Sequence, residues 1–119
     1  MKDLNYFTRI FVASEPVDFR KQAAGLAQVV EGFLELNPML DRCLFVFTNK
    51  KARGVKCLYW DKTGFALWHK KLEKSKFYWK KDLPGKTYSL NNRELKWLLE
   101  GIDLNKIKPH ESVNFSKTS

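Results

Sequence analysis

Apolar and polar positions fall into four stretches of differing spacing along the chain, strand-like and helix-like by turns. From Asn5 to Ala13 the β-formers Tyr6, Phe7, Ile10, Phe11 and Val12 predict a strand. Ser14-Glu15-Pro16 breaks it, because proline fixes φ and biases its neighbour away from the helical region. Beyond the break, Leu26, Val29, Val30, Phe33 and Leu34 fall at i, i+3, i+4, i+7 and i+8, one stripe of a helix. That spacing predicts a long helix from about Phe19 to Leu36, with Asp18 as its N-cap and Asn37-Pro38 as its end. Gly25 and Gly32 lie inside it, where they would allow close packing on a sheet.

From Cys43 the spacing becomes that of strands. Leu44-Phe45-Val46-Phe47 is a continuous apolar run, the polar stretch Asn49–Gly54 reads as a hairpin loop, and Val55–Trp60 is the return strand. Asp61-Lys62-Thr63-Gly64 is a turn, Phe65–Lys70 a third strand and Lys76–Trp79 a short fourth. Near the end, Asn91 and Glu94 form a capping-box pattern before the stripe Leu95, Leu98, Leu99 and Ile102, with Gly101 as the stop. The expected fold is α+β: a mainly antiparallel sheet of four to five strands, one long helix packed on it, and a second, C-terminal helix. Residues 1–104 form a single domain in this reading, and 105–119, polar and containing Pro109, a flexible tail.

Charge changes the picture. The 119 residues carry 22 basic and 13 acidic side chains, a net +9. Between Lys50 and Lys86 there are 12 basic and 3 acidic residues, again a net +9, so the rest of the chain is neutral. A segregated excess makes a local positive field that polyanions feel first. Within this span the cations interleave with aromatics. Lys50, Lys51 and Arg53 sit at the hairpin tip, Lys56 on the return strand, and Lys70, Lys71, Lys74 and Lys76 further on. Lysine supplies sequence-independent phosphate affinity through counterion release, and Trp60, Trp68, Phe77 and Trp79 are candidates for stacking on bases or anchoring a protein interface. Lysine outnumbers arginine here, which favours backbone contact over bidentate base reading. The competing account is plainer: the aromatics are strand core and the lysines a solvated face.

Little else points to chemistry. Asp18, Asp61 and Glu94 follow one another as acids do in two-metal nucleases, but a cap, a turn and a capping partner explain them individually. His69 alternates onto the side of Phe65 and Leu67, the place of a structural histidine. Cys43 and Cys57 have neither zinc nor disulfide spacing and read as buried thiols, although they could face each other across the hairpin. No dinucleotide, P-loop or nucleophile motif is present, so no enzyme activity, cofactor or metal is expected. No apolar run approaches the ~20 residues of a membrane span, no signal peptide precedes the first strand, and a cytoplasmic location is expected.

Several ordered segments carry a resemblance. They are Val17-Asp18-Phe19-Arg20-Lys21 with Gly25-Leu26, and Leu44-Phe45-Val46-Phe47 with Asn49-Lys50-Lys51. Lys56–Asp61 with Gly64-Phe65, Leu67 and Lys70-Lys71-Leu72-Glu73 follows, then Phe77 with Trp79 and the closing Leu98–Asp103. Together they resemble the TnpB-type accessory protein, from the second open reading frame, of the insertion-sequence-sixty-six family of bacterial mobile elements. The likeness runs from about Ile10 to Asp103. One mild departure is Lys70-Lys71-Leu72-Glu73, where the family commonly has Lys-Arg-Leu-Glu. The resemblance implies a non-catalytic partner of a separate transposase, with no catalytic residues to carry over. It leaves two readings open: an accessory protein that binds DNA phosphates through the basic, aromatic-rich hairpin region, or an adaptor that holds the transposase or another accessory subunit without touching DNA. A homodimer through an exposed edge strand is compatible with both.

Overall fold

The computed structural model describes residues 1–80 and 83–106. A five-stranded sheet is the middle of three layers, with strand order β4-β3-β2-β1-β5. The strands are β1 (Arg9–Ala13), β2 (Cys43–Thr48), β3 (Gly54–Asp61), β4 (Gly64–Lys71) and β5 (Thr87–Ser89). Helix α1 (Ala23–Gln28), continued by a π-helical turn (Val29–Phe33), lies on one face, and α2 (Asn92–Leu99) on the other.

The second, third and fourth strands form an antiparallel meander, with registers Phe45↔Leu58 and Leu58↔Leu67. β1 joins it parallel to β2, with Ile10 opposite Leu44. A helical crossover carries the chain from the end of β1 back to the edge of the sheet where β1 began, and two strands joined that way run parallel. The sheet is therefore mixed. β1 and β2, two of the three inner strands, are buried almost throughout, which explains their continuous apolar runs.

Alternation divides the core. Phe11, Phe45, Phe47 and Leu58 face α1, where they meet Leu26, Val30 and Leu34. Ile10, Val12, Leu44, Val46, Val55, Cys57 and Tyr59 face α2 and its Leu95, Leu98 and Leu99. The two cysteines are free and buried on opposite faces, and Cys57 stands opposite Val46, so they do not face each other.

The first helix is shorter than its stripe implies, with six α-helical and five π-helical residues. Asp18 does not cap it. Its carboxylate accepts from the Arg20 amide (2.9 Å) and pairs with the Arg20 guanidinium (2.7 Å) in a turn ahead of the helix. The oxygens of Phe19 and Lys21, which an earlier helix would have used for its own ladder, instead accept from the buried Lys56 ammonium. The π-turn, marked by the Leu34 amide donating to Val29, inserts one residue and turns Phe33 outward, 46% exposed. Glu35, at φ 58°, ends the helix before Asn37-Pro38. Gly32 is exposed and Gly25 faces the Lys21 side chain, so neither packs on the sheet.

The fourth predicted strand is not one. Residues 76–79 cross the α2 face without joining the sheet, held by the Phe77 amide on Ala52 (2.6 Å) and the Trp79 indole on Ala13 (2.9 Å). The sheet's fifth strand is Thr87–Ser89, on the outer side of β1. The second helix matches its prediction at the start: Asn91 Oδ1 accepts from the Glu94 amide (2.8 Å), and Glu94 Oε1 from the Asn91 amide (2.9 Å). Gly101 stops it at φ 81°, while Ile102 stays 40% exposed. A turn at Leu104–Lys106 takes in the first residues of the expected tail, and the rest of that segment lies outside the described residues.

Candidate nucleic-acid interface

The loop between β2 and β3 is held from within. Asn49 Oδ1 accepts from the amides of Arg53 (3.0 Å) and Gly54 (3.3 Å), and the Asn49 carbonyl accepts from Ala52 (2.9 Å). Ala52 itself sits at φ 55°. Thr48 Oγ1 closes the loop by donating to the Gly54 carbonyl (2.8 Å). A side chain at Gly54 would crowd the loop, since a Cβ would stand 2.6 Å from Phe19 Cε2. Three cations, Lys50, Lys51 and Arg53, are exposed on this frame.

A second segment lies along the first. The Leu72 amide donates to Arg53 (2.9 Å) and the Phe77 amide to Ala52, so residues 73–76 arch beside the loop. Lys71 ends β4 opposite Gly54. Lys50, Lys51, Arg53, Lys71, Lys74 and Lys76 are therefore gathered at one end of the sheet, all exposed. None of the six forms an ion pair among the described residues, and Glu73 is the acid nearest them in sequence. This is the end where the parallel strands β1 and β2 finish, the customary ligand side of an open α/β sheet.

Two predicted site residues are elsewhere. Lys56 is buried, 2% exposed; its ammonium donates to Phe19 (2.9 Å) and Lys21 (2.8 Å) and lies 4.9 Å from the centre of the Phe19 ring. Burial lowers its pKa, with the Asp18 charge acting the other way. Lys70 points to the opposite face, where it donates to the Leu99 carbonyl (2.8 Å) at the C-terminal end of α2 and complements the helix dipole. Both cations are engaged by the protein's own carbonyls.

The aromatics divide in the same way. Phe77 is core, 1% exposed. Trp68 and Trp79 are half-buried against the α2 side. Trp60 packs edge-on against Phe65 (5.0 Å, 72°) near the β3–β4 turn, at the far end of the sheet from the cationic loop. Tyr78, 40% exposed between buried Phe77 and half-buried Trp79, is the most exposed aromatic of the basic span among the described residues. Nothing in its local sequence separated it from its buried neighbours.

Sequence reasoning also passed over Arg20 and Lys21, which lie outside the basic span. The loop after β1 brings them to the same end, anchored by the Val17 amide on Thr48 (2.9 Å). Parallel pairing of β1 and β2 was the missing signal. Arg20 is held by Asp18, whose carboxyl its hydrogen bonds and charge bring down to about 2.

The remaining candidates scatter. Asp18 and Asp61 lie at opposite ends of the sheet, Asp61 with Lys2 (3.7 Å) and Glu94 in its capping box. Among the described residues no three His, Cys, Asp or Glu side chains group as a metal site. His69 is exposed, edge-on to Phe19 (5.4 Å), and its pKa is lowered by partial burial and by Lys56 and Lys71. Burial raises the pKa of both cysteine thiols. No helix among the described residues is long and apolar enough to cross a membrane.

These features define a small three-layer α+β protein with one cationic end and, among the described residues, no assembled acid cluster. The chain belongs to the family described as IS66 Orf2 like protein, whose model matches residues 8–109. It is similar to two proteins of Sinorhizobium fredii (strain NBRC 101917 / NGR234), each named only as uncharacterized. One, y4jC, is 35% identical over 100 residues, 84% of this chain and 84% of the relative. The other, y4hO, is 34% identical over 95 residues, 80% of this chain and 81% of the relative. No solved structure matches.

Proposed function

We propose that this chain is a non-catalytic accessory protein of DNA transposition that contacts DNA phosphates through the cationic end of its sheet. Its membership of the IS66 Orf2 like family supports the setting. The observation that carries the contact is the cluster Lys50, Lys51, Arg53, Lys71, Lys74 and Lys76, exposed, without acid partners among the described residues, and hung on a loop whose amides are already bonded. Evolvable surface lysines usually sit among acids; a held cluster of one sign favours a polyanion. Lys21 extends the cluster, while Arg20 is neutralised by Asp18, and Tyr78 offers an exposed ring for stacking. Lys56 and Lys70 support the frame and make no DNA contact.

The test is a titration of duplex DNA against salt, comparing the wild-type chain with a charge-reversed loop. The adaptor reading, in which the transposase is the sole partner, is favoured instead if the chain captures transposase at a salt concentration that abolishes all DNA binding.

A further inference from the structure

The sheet's two edges are finished differently. β5 is three residues long and follows Pro84, as protected edges do. β4 is eight residues long, contains no proline, and keeps an unbroken register from Asp61↔Gly64 to Gly54↔Lys71, without a bulge. Among the described residues it pairs on one side only. Alternate peptide groups of β4 therefore point outward with no strand to receive them.

Burial makes the same distinction. Val55, Cys57, Leu58 and Tyr59 of β3 are buried, whereas Phe65, Ala66, Leu67 and Trp68 of β4 are each only half-buried. Phe65 and Leu67 lie on the α1 face and Ala66 and Trp68 on the α2 face, so among the described residues both core layers reach this edge only partly covered. A strand paired here would continue both layers.

We propose that the occupant is a second copy of this chain, paired antiparallel along β4 about an axis at Leu67. The charges fit this copy. Keeping each face continuous requires residues of the same face to oppose one another. With the axis at Leu67, Leu67 meets its counterpart, Phe65 meets His69, and Ala66 meets Trp68. Lys70 and Lys71 then oppose Gly64 and Thr63 of the second copy, and no cation faces a cation. Beyond the strand ends this axis sets Asp61, which is paired with Lys2, against Glu73, whereas an axis at Trp68 sets Lys62 against Lys74. The antiparallel arrangement also places the two cationic ends at opposite ends of the joined sheet, which limits repulsion between two chains of charge +9. The dimer does not depend on the DNA reading.

The experiment uses the full chain, freed of nucleic acid, in high salt so that residual DNA cannot bridge copies. Sedimentation velocity should show a concentration-dependent species of twice the 14.0 kDa chain mass. Leu67→Lys, a charge on the edge strand, should weaken it by about tenfold or more. A Leu67→Cys variant should form a disulfide-linked dimer on mild oxidation much faster than Arg93→Cys, since Cys43 and Cys57 are buried. A chain that stays monomeric at every concentration, or equal cross-linking of the two cysteine variants, overturns the proposal. So does a monomer whose β4 amides are protected from hydrogen exchange, which would mean that another part of the same chain covers the edge.

Discussion

The Lys56 ammonium lies beneath the ring of Phe19, 4.9 Å from its centre, and donates to the Phe19 carbonyl at 2.9 Å and the Lys21 carbonyl at 2.8 Å. A charge that sequence composition assigns to the binding surface is thus a peg that fixes the loop between β1 and α1. Replacing it with methionine keeps the apolar stem but leaves two carbonyls without a donor, each costing about 1–3 kcal/mol when buried. Lys56→Met is expected to lower stability by about 2 kcal/mol in urea unfolding, with DNA affinity unchanged while the chain is folded. A larger loss of affinity than of stability would return Lys56 to the interface.

Gly54 faces the same ring. A Cβ at this position would stand 2.6 Å from Phe19 Cε2, and the ring is in contact with both Lys56 and His69. Gly54→Ala is expected to cost about 1–3 kcal/mol, the usual range for overpacking. Thermal melting checks it. Gly64→Ala is the control, because nothing lies within 4 Å of its added Cβ.

His69 gives a pH dependence of known sign. Its folded pKa lies below 6.5, through partial burial first and then the charges of Lys56 and Lys71. The unfolded chain therefore binds this proton more readily. The His69 contribution is fully present above the unfolded pKa and is lost as pH falls through the folded one. An NMR titration should place the imidazole midpoint below 6.5, and His69→Gln should flatten the corresponding part of the stability profile. A midpoint above 6.5 would mean that the two lysines do not act on it.

Local signals were read well from the sequence, and long-range pairing was not. The Asn91–Glu94 capping box, the Gly101 stop and the β2–β3–β4 meander follow from neighbouring residues, whose patterns are self-contained. The parallel pairing of β1 with β2 depends on where a crossover returns, which no short window records. The start of α1 was misplaced because Lys56, distant in sequence, takes up the carbonyls of Phe19 and Lys21. For the candidate site, the basic span was visible as composition. Which lysines face solvent depended on strand alternation and on the carbonyls of Leu99, Phe19 and Lys21, so Lys56 and Lys70 were counted outward. Phe77 was counted with them because an apolar residue between lysines looks exposed until its segment is known to cross the core.

The central claim is that the exposed cations at one end of the sheet bind DNA phosphates, and salt dependence tests it most directly. Each phosphate neutralised on duplex DNA contributes about 0.9 to the slope of log affinity against log salt. The triple variant Lys50→Glu, Lys51→Glu, Arg53→Glu should therefore bind DNA more weakly and with a slope reduced by about 2–3, while its melting temperature stays near that of the wild type. An affinity and slope unchanged by this charge reversal, or wild-type binding that does not respond to salt, would contradict the account.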